Sequence, residues 1–257
     1  MNKNDIWDIA LRQSAKDFGC KPSDFLSQTN TIVTSRICNE ARKYLPLPLE
    51  CDIVSYGNCL VAQTSARAFD AVSKYISTYP PEHAFETPHL HELDNLLLPL
   101  GLKVCFMAEY FLPDLEKLKT FDCPYELRIL KQADLAHLYR DEWSNALCEK
   151  RKELDVLGIG AYDGEKLIGL AGCSADCNDM YQIGIDVLPE YRRKGVASSL
   201  TSRLALEILK LGKVPFYCAA WCNIKSVRNA IKCGFVPAWV EITAKSIDFV
   251  EEMNNVK

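Results

Sequence analysis

Ile6, Ile9 and Ala10, with Gln13 and Asp17 beside them, recur at helical spacing over residues 5–18, and Gly19 offers a stop. Lys21-Pro22-Ser23-Asp24 then turns the chain. Beyond the proline-broken Leu45-Pro46-Leu47-Pro48, apolar runs at 51–54 and 59–63 flank Tyr56-Gly57-Asn58 and predict a hairpin. Ser65 caps a predicted helix through 78, which Tyr79-Pro80-Pro81 ends. A second helix is predicted over 88–98 before Gly101, and a buried strand over 102–112.

The pattern changes at 113–124, a charged stretch bounded by prolines and lacking a periodic apolar face. It is the predicted linker between an accessory domain at 1–112 and a second domain at 125–257. Within the second, 126–130 reads as a strand and 132–150 carries helical spacing broken near Arg140. Runs at 157–162 and 166–173 flank Asp163-Gly164-Glu165, a strong hairpin signal. A strand over 181–188 leads into a long helix to about 210, with Val196, Leu200, Leu204, Ile208 and Leu211 on one stripe. A strand over 214–220, a helix over 223–233 and strands over 235–241 and 246–250 complete the chain. The predicted class is α/β (α+β): a mixed-sheet domain preceded by a smaller α/β domain.

Composition removes several function classes. With 257 residues, 48% hydrophobic and 25% charged, the chain is globular and long enough for two cores. Thirty basic against 34 acidic side chains leave a net charge of -4, so no global field attracts nucleic acid or an anionic membrane. No apolar run approaches a membrane span, and the opening residues lack a signal-peptide core; a cytoplasmic location is expected. The twelve cysteines include no Cys-x-x-Cys pair and read as reduced thiols, mostly buried. His83, His89, His91 and His137 are a weak metal signal, His89 and His91 reading as solvated loop side chains, so no metal is expected.

The most informative passage is Ile183-Gly184-Ile185-Asp186-Val187-Leu188-Pro189-Glu190-Tyr191-Arg192-Arg193-Lys194-Gly195-Val196-Ala197-Ser198, which ends a strand and opens a helix. A helix start offers unpaired N–H groups and about half a positive charge, which suit a phosphate. Arg192, Arg193 and Lys194 add local charge, and Gly195 lets backbone approach an anion without a Cβ in the way. Neither the P-loop nor the dinucleotide fingerprint is present.

Val187-x-Pro189-Glu190-Tyr191-Arg192-x-x-Gly195-x-Ala197 resembles the acyl-CoA loop of the GNAT superfamily of N-acetyltransferases. The order of elements from about 126 agrees, as does Asn223-x-x-Ser226 followed by Lys232-Cys233-Gly234-Phe235. The resemblance covers roughly residues 125–250. It implies that backbone amides of Arg193, Lys194, Gly195, Val196, Ala197 and Ser198 hold the pyrophosphate of acetyl-CoA. It also implies that the strand at Ile185 and Val187 pairs with the pantetheine arm, that this strand splays from 214–220, and that Asn223 reaches the arm. An ordinary N-cap is the alternative role of Asn223.

The implied activity is acetyl transfer from acetyl-CoA to a primary amine; the alternative is a catalytically impaired acyl-CoA-binding or sensing module. The family's usual tyrosine acid falls at Ala230, and no catalytic residue is assigned. Asp179, Tyr181 and Asp186 are the candidate bases, Cys218 and Cys222 the thiols nearest the predicted thioester, and Trp143 a candidate pocket wall, each with a plainer structural role beside it. Direct transfer with water carrying the protons is the expected mechanism. The accessory domain reads as a cover for the acceptor face, or as a degenerate copy of the same fold. Acceptor identity and oligomeric state carry no signal.

Overall fold

The computed structural model describes residues 1–255. In chain order the elements are α1 (Lys3–Phe18), β1 (Thr31–Thr34), β2 (Cys51–Ser55), β3 (Leu60–Thr64), α2 (Phe69–Thr78), α3 (Thr87–Leu97), β4 (Leu102–Pro113), β5 (Glu126–Lys131), α4 (Gln132–Leu135), β6 (Asp155–Asp163), β7 (Lys166–Ser174), β8 (Met180–Val187), α5 (Val196–Lys210), β9 (Val214–Ala220), α6 (Ile224–Lys232), β10 (Phe235–Ser246) and α7 (Ile247–Asn255). Strands pair both parallel and antiparallel, giving the mixed α/β class expected.

Two compact units result. One holds Met1–Ile9 and Phe111–Pro237, the other Ala10–Tyr110 and the chain from Ala238 onward. In the first, β5, β6, β7 and β8 form an antiparallel run in that order, and β9 joins β8 in parallel. The α5 stripe of Val196, Leu200, Leu204 and Ile208 is buried with Ile159, Ile168 and Tyr217, each full burial of an aliphatic side chain contributing about 1.5–3 kcal/mol. Leu211, expected to continue that stripe, is exposed just past the helix end.

In the other unit β2 and β3 form the expected hairpin, β1 adds in parallel to β3, and β10 adds antiparallel to β2. Ile53, Val72, Tyr75, Leu93, Leu97 and Ile242 pack into its apolar core with α2 and α3. Asp52, between Cys51 and Ile53 on β2, belongs instead to a buried polar set. There Arg42 pairs with Asp17, and the Gln63 amide donates to both the Asp17 carbonyl and the Asp52 carboxylate. Burial pushes the Asp52 carboxyl well up and that of Glu241 up to about 7, Arg42 opposing the latter.

Three expectations differ from the structure, and one strand falls outside them all. Contacts divide the chain inside α1, β4 and β10 rather than at 113–124; residues 240–244 pair with 51–55, a partnership between distant segments that leaves no local mark. The segment expected as a strand at 246–250 is helical: the Ser246 hydroxyl accepts from the Phe249 N–H at the start of α7. The helical spacing of 132–150 yields only α4 and short 3-10 turns at Asp141–Trp143 and Glu149–Leu154, because side chains from the sheet hold this loop. The short strand β1 carries no alternation by which to find it.

Candidate active site

The site begins with the way β8 pairs. It follows β7 from Ser174↔Gln182 to Gly169↔Val187, but it follows β9 only from Met180↔Val214 to Ile183↔Tyr217. Beyond that row, residues 184–187 and 218–220 part. The Leu188 N–H donates to the Ile168 carbonyl at 3.0 Å. Antiparallel pairing alternates, so Gly184 and Asp186 also turn their backbone toward β7, while Ile185 and Val187 turn theirs into the gap. Arg192 Nε occupies the Val187 carbonyl at 2.9 Å. The Val187 N–H and both polar groups of Ile185 face the gap without a strand partner.

At the end of β8 a 3-10 turn at Pro189–Tyr191 delivers the chain to α5. Arg193 has φ +63° and Gly195 φ +82°, two left-handed residues within three positions. Such alternation turns successive N–H groups into one concavity and is concentrated at ligand sites. The first bond of α5 runs from the Ser199 N–H to the Gly195 carbonyl at 3.1 Å, so the amides of Val196, Ala197 and Ser198 precede the helical ladder. Nothing lies within 4 Å of a Cβ built on Gly195.

A cavity of about 1290 Å³ runs along this strand, lined by Arg192, Arg193, Ala197, Ile185, Val187 and Asn223 among the expected residues. The other expected residues do not line it. Lys194 reaches the Tyr125 hydroxyl at 3.3 Å, the Val196 side chain is buried in the core, and the Ser198 hydroxyl donates to Asn229 Oδ1 at 3.1 Å. Asn223 caps α6, accepting from the Ser226 N–H at 3.3 Å, and also borders the cavity, so both of its expected roles are compatible.

The candidate bases separate clearly. Asp186 lines the cavity, but its carboxylate accepts from the Asn145 N–H, the Asn145 side-chain amide and the Ala146 N–H at 2.7–2.9 Å. It is a clamp for the loop before β6. Gly184 and Gly172 make room for the same loop: a Cβ on either would overlap the carbonyl oxygen of Asn145 or Ala146. Asp179 is exposed and pairs with Lys213, and Tyr181 packs against the core, its hydroxyl pushed up by burial; neither borders the cavity. Cys218 does border it and accepts from Gln182 Nε2 at 3.0 Å, whereas Cys222 is exposed and apart. Trp143 is buried with Leu135, Leu138 and Leu147 as packing.

Two residues in the cavity wall escape sequence reasoning. Tyr217, in the last paired row of β9, shares a 2.8 Å hydrogen bond with the Ser226 hydroxyl on α6, and burial pushes its pKa up, so it holds its proton. Ser226 lies one helical turn from Ala230, on the same face. The other is Asp155, the first residue of β6, whose only signal is its place at the end of a charged run.

A parallel strand pair that parts beside a left-handed helix start is an arrangement for an extended anionic ligand. The chain belongs to the GNAT acetyltransferase family, whose model matches residues 73–238. Acyl transfer is the chemistry of that family. The match opens inside α2, well before the region of sequence resemblance, and closes inside β10, beside the position where the chain divides. A search of curated proteins returns no match.

Solved structures with similar folds include a protein assigned to the GNAT family from Novosphingobium aromaticivorans (18% identity, TM-score 0.46, covering 56% of this chain and 66% of that one). A GCN5-related N-acetyltransferase-like protein from Streptococcus suis matches at 17% identity and TM-score 0.45, over 60% of this chain and 68% of that one. A GCN5-related N-acetyltransferase from Kribbella flavida matches at 11% and 0.48, over 60% and 63%. The chain thus spans about two thirds of the length of each. Among the described residues no group of three or more His, Cys, Asp or Glu side chains is placed to hold a metal, no disulfide joins the cysteines, and no helix is long and apolar enough to cross a membrane.

Proposed function

We propose that this protein transfers an acetyl group from acetyl-CoA directly to a primary amine. The observation that carries the reading is the continuity of the parted β8 with the left-handed turn into α5, which puts unpaired strand backbone and unpaired helix-start amides on one path. On this reading the amides of Val196, Ala197 and Ser198 hold the pyrophosphate, assisted by Arg193. The backbone of Ile185 and Val187 pairs with the pantetheine arm, and Arg192 pins the end of the strand through the Val187 carbonyl.

The thioester then sits where β8 and β9 part. The amine, having lost a proton to solvent, attacks the carbonyl carbon; the C–N bond forms, the C–S bond breaks, the nitrogen releases its surplus proton to water, and the thiolate takes a proton. A backbone N–H in the gap is suited to the charge that builds on the carbonyl oxygen. The Tyr217 hydroxyl supplies a protonated donor near the region where the family's tyrosine is missing, and water is the other source.

Ala230, fully buried in the core, favours the second reading of an acyl-CoA-binding module without turnover. Thiol release from acetyl-CoA across a panel of amines separates the two. The expected result is release that requires an amine and saturates with it. Tight acetyl-CoA binding, seen as a raised Tm, with no amine-dependent thiol would leave only the binding module.

A further inference from the structure

The cavity wall contains a polar corner that neither the cofactor path nor the transfer step uses. Asp155 on β6 pairs with Ser174 on β7, which pairs with Gln182 on β8, so the three side chains stand in one row on one face. Asp155 and Ser174 both line the cavity. Asp155 is 1% exposed, and its Oδ2 accepts from the Cys148 N–H at 2.8 Å and the Tyr139 hydroxyl at 3.2 Å. Both hydrogen bonds end on Oδ2, leaving Oδ1 for a ligand. The Ser174 hydroxyl is buried without a hydrogen-bond partner. A carboxylate oxygen and a hydroxyl in a cavity wall, each lacking a donor, call for a ligand that brings N–H groups.

The surroundings set the sign of that ligand. Asp176, fully buried, and Arg151, which lines the cavity, stand 3.1 Å apart beside Asp155. The corner thus carries two carboxylates and one guanidinium, an excess of one negative charge. Burial pushes the Asp155 carboxyl up to about 6, Asp176 adding to the rise while the Cys148 amide, Tyr139 and Arg151 oppose it, so the group is ionised at pH 8. The phosphate loop follows Val187, five residues beyond the Gln182 row, so the corner lies toward the other end of β8 from the basic loop.

Distance decides what the corner can do. β6 lies two strand spacings from β8, and the Gln182 row stands two to three residues before the gap, which together separate Asp155 from the parting by roughly 12–14 Å. That is too far for a base acting on the attacking nitrogen and suits a second charge on the same molecule. Resting on the acetyl-transfer reading above, we propose that the acceptor is a linear di- or triamine whose distal ammonium docks on Asp155 and Ser174, with its outer nitrogens roughly 10–12 Å apart. The corner selects the acceptor by charge and length while the near nitrogen is acetylated in the gap.

The test is titration calorimetry of spermidine into full-length protein saturated with CoA, with hexylamine as the single-charge comparison. Spermidine is expected to bind at least about tenfold more tightly than hexylamine, and Asp155→Asn to weaken spermidine by about tenfold or more. The Asn side chain can still accept from Cys148 and Tyr139, and the rise in Tm with acetyl-CoA checks that the variant is folded. Ser174→Ala, which needs no such check, is expected to cost roughly threefold to tenfold. Affinity should also fall as pH drops through about 6, as Asp155 takes a proton. Equal binding of hexylamine and spermidine, or unchanged spermidine affinity in both variants, overturns the proposal. Thiol release reports separately: spermidine binding that depends on Asp155 without acetylation removes the transfer reading alone, whereas acetylation of monoamines with no spermidine preference removes this one alone.

Discussion

Gly195→Asp is expected to lower acetyl-CoA affinity by at least about 100-fold while leaving the protein folded. The position has φ +82° and open space where a Cβ would stand, so the substitution meets no atom of the protein. Asp is among the residues that tolerate the left-handed region, which keeps the backbone cost near 1 kcal/mol. The effect comes instead from a carboxylate placed where the pyrophosphate would lie: like charges about 4 Å apart cost about 4 kcal/mol at the effective dielectric of a protein surface. Gly195→Ala, with the strain and no charge, should lose far less. Arg192→Ala should weaken binding only partly, since its Nε holds the Val187 carbonyl and backbone supplies most of the proposed contacts. Calorimetric titration of acetyl-CoA into the three variants checks the order, and equal affinities for Gly195→Asp and wild type would show that the anion lies elsewhere.

Gly184→Ala is expected to lower Tm by roughly 5–10 °C, the consequence of about 2–3 kcal/mol of overpacking. Its Cβ would overlap the Asn145 carbonyl oxygen, a backbone atom that no rotamer change can move. Either β8 shifts or the loop leaves the sheet, and the loop is otherwise held by the three bonds to Asp186 and by the Cys148 N–H to Asp155. Because Asp155 belongs to that network, the variant should also lose spermidine affinity. Gly164→Ala, at a hairpin turn with φ +61° and nothing within 4 Å, carries only the backbone cost and is the comparison. A Gly184→Ala protein that melts with wild type would contradict this seating of the loop.

These two glycines mark how far the sequence can be read. Gly195 is legible because its proposed role is local: a strand, a turn and a helix start lie within a dozen residues, and the apolar stripe of Val196, Leu200 and Leu204 sets the helix beside them. Gly184 looks like any strand glycine until the loop at 145–146 is seen against it. Asp186 reads as a candidate base and is a clamp, because its three donors come from a segment some forty residues away. Asp155 shows only its place at the end of a charged run, since its burial depends on the pairing of β6 with β7 and on Tyr139 and Cys148. The same limit explains β10, which is legible as a strand while its pairing with β2, and hence the division of the chain, is not.

The most direct test of the account is a crystal structure of the protein with acetyl-CoA. The pyrophosphate is expected on the amides of Val196, Ala197 and Ser198, with the pantetheine arm paired to Ile185 and Val187 and the thioester where β8 and β9 part. An acetyl-CoA bound elsewhere, with residues 184–187 left uncovered, would contradict it.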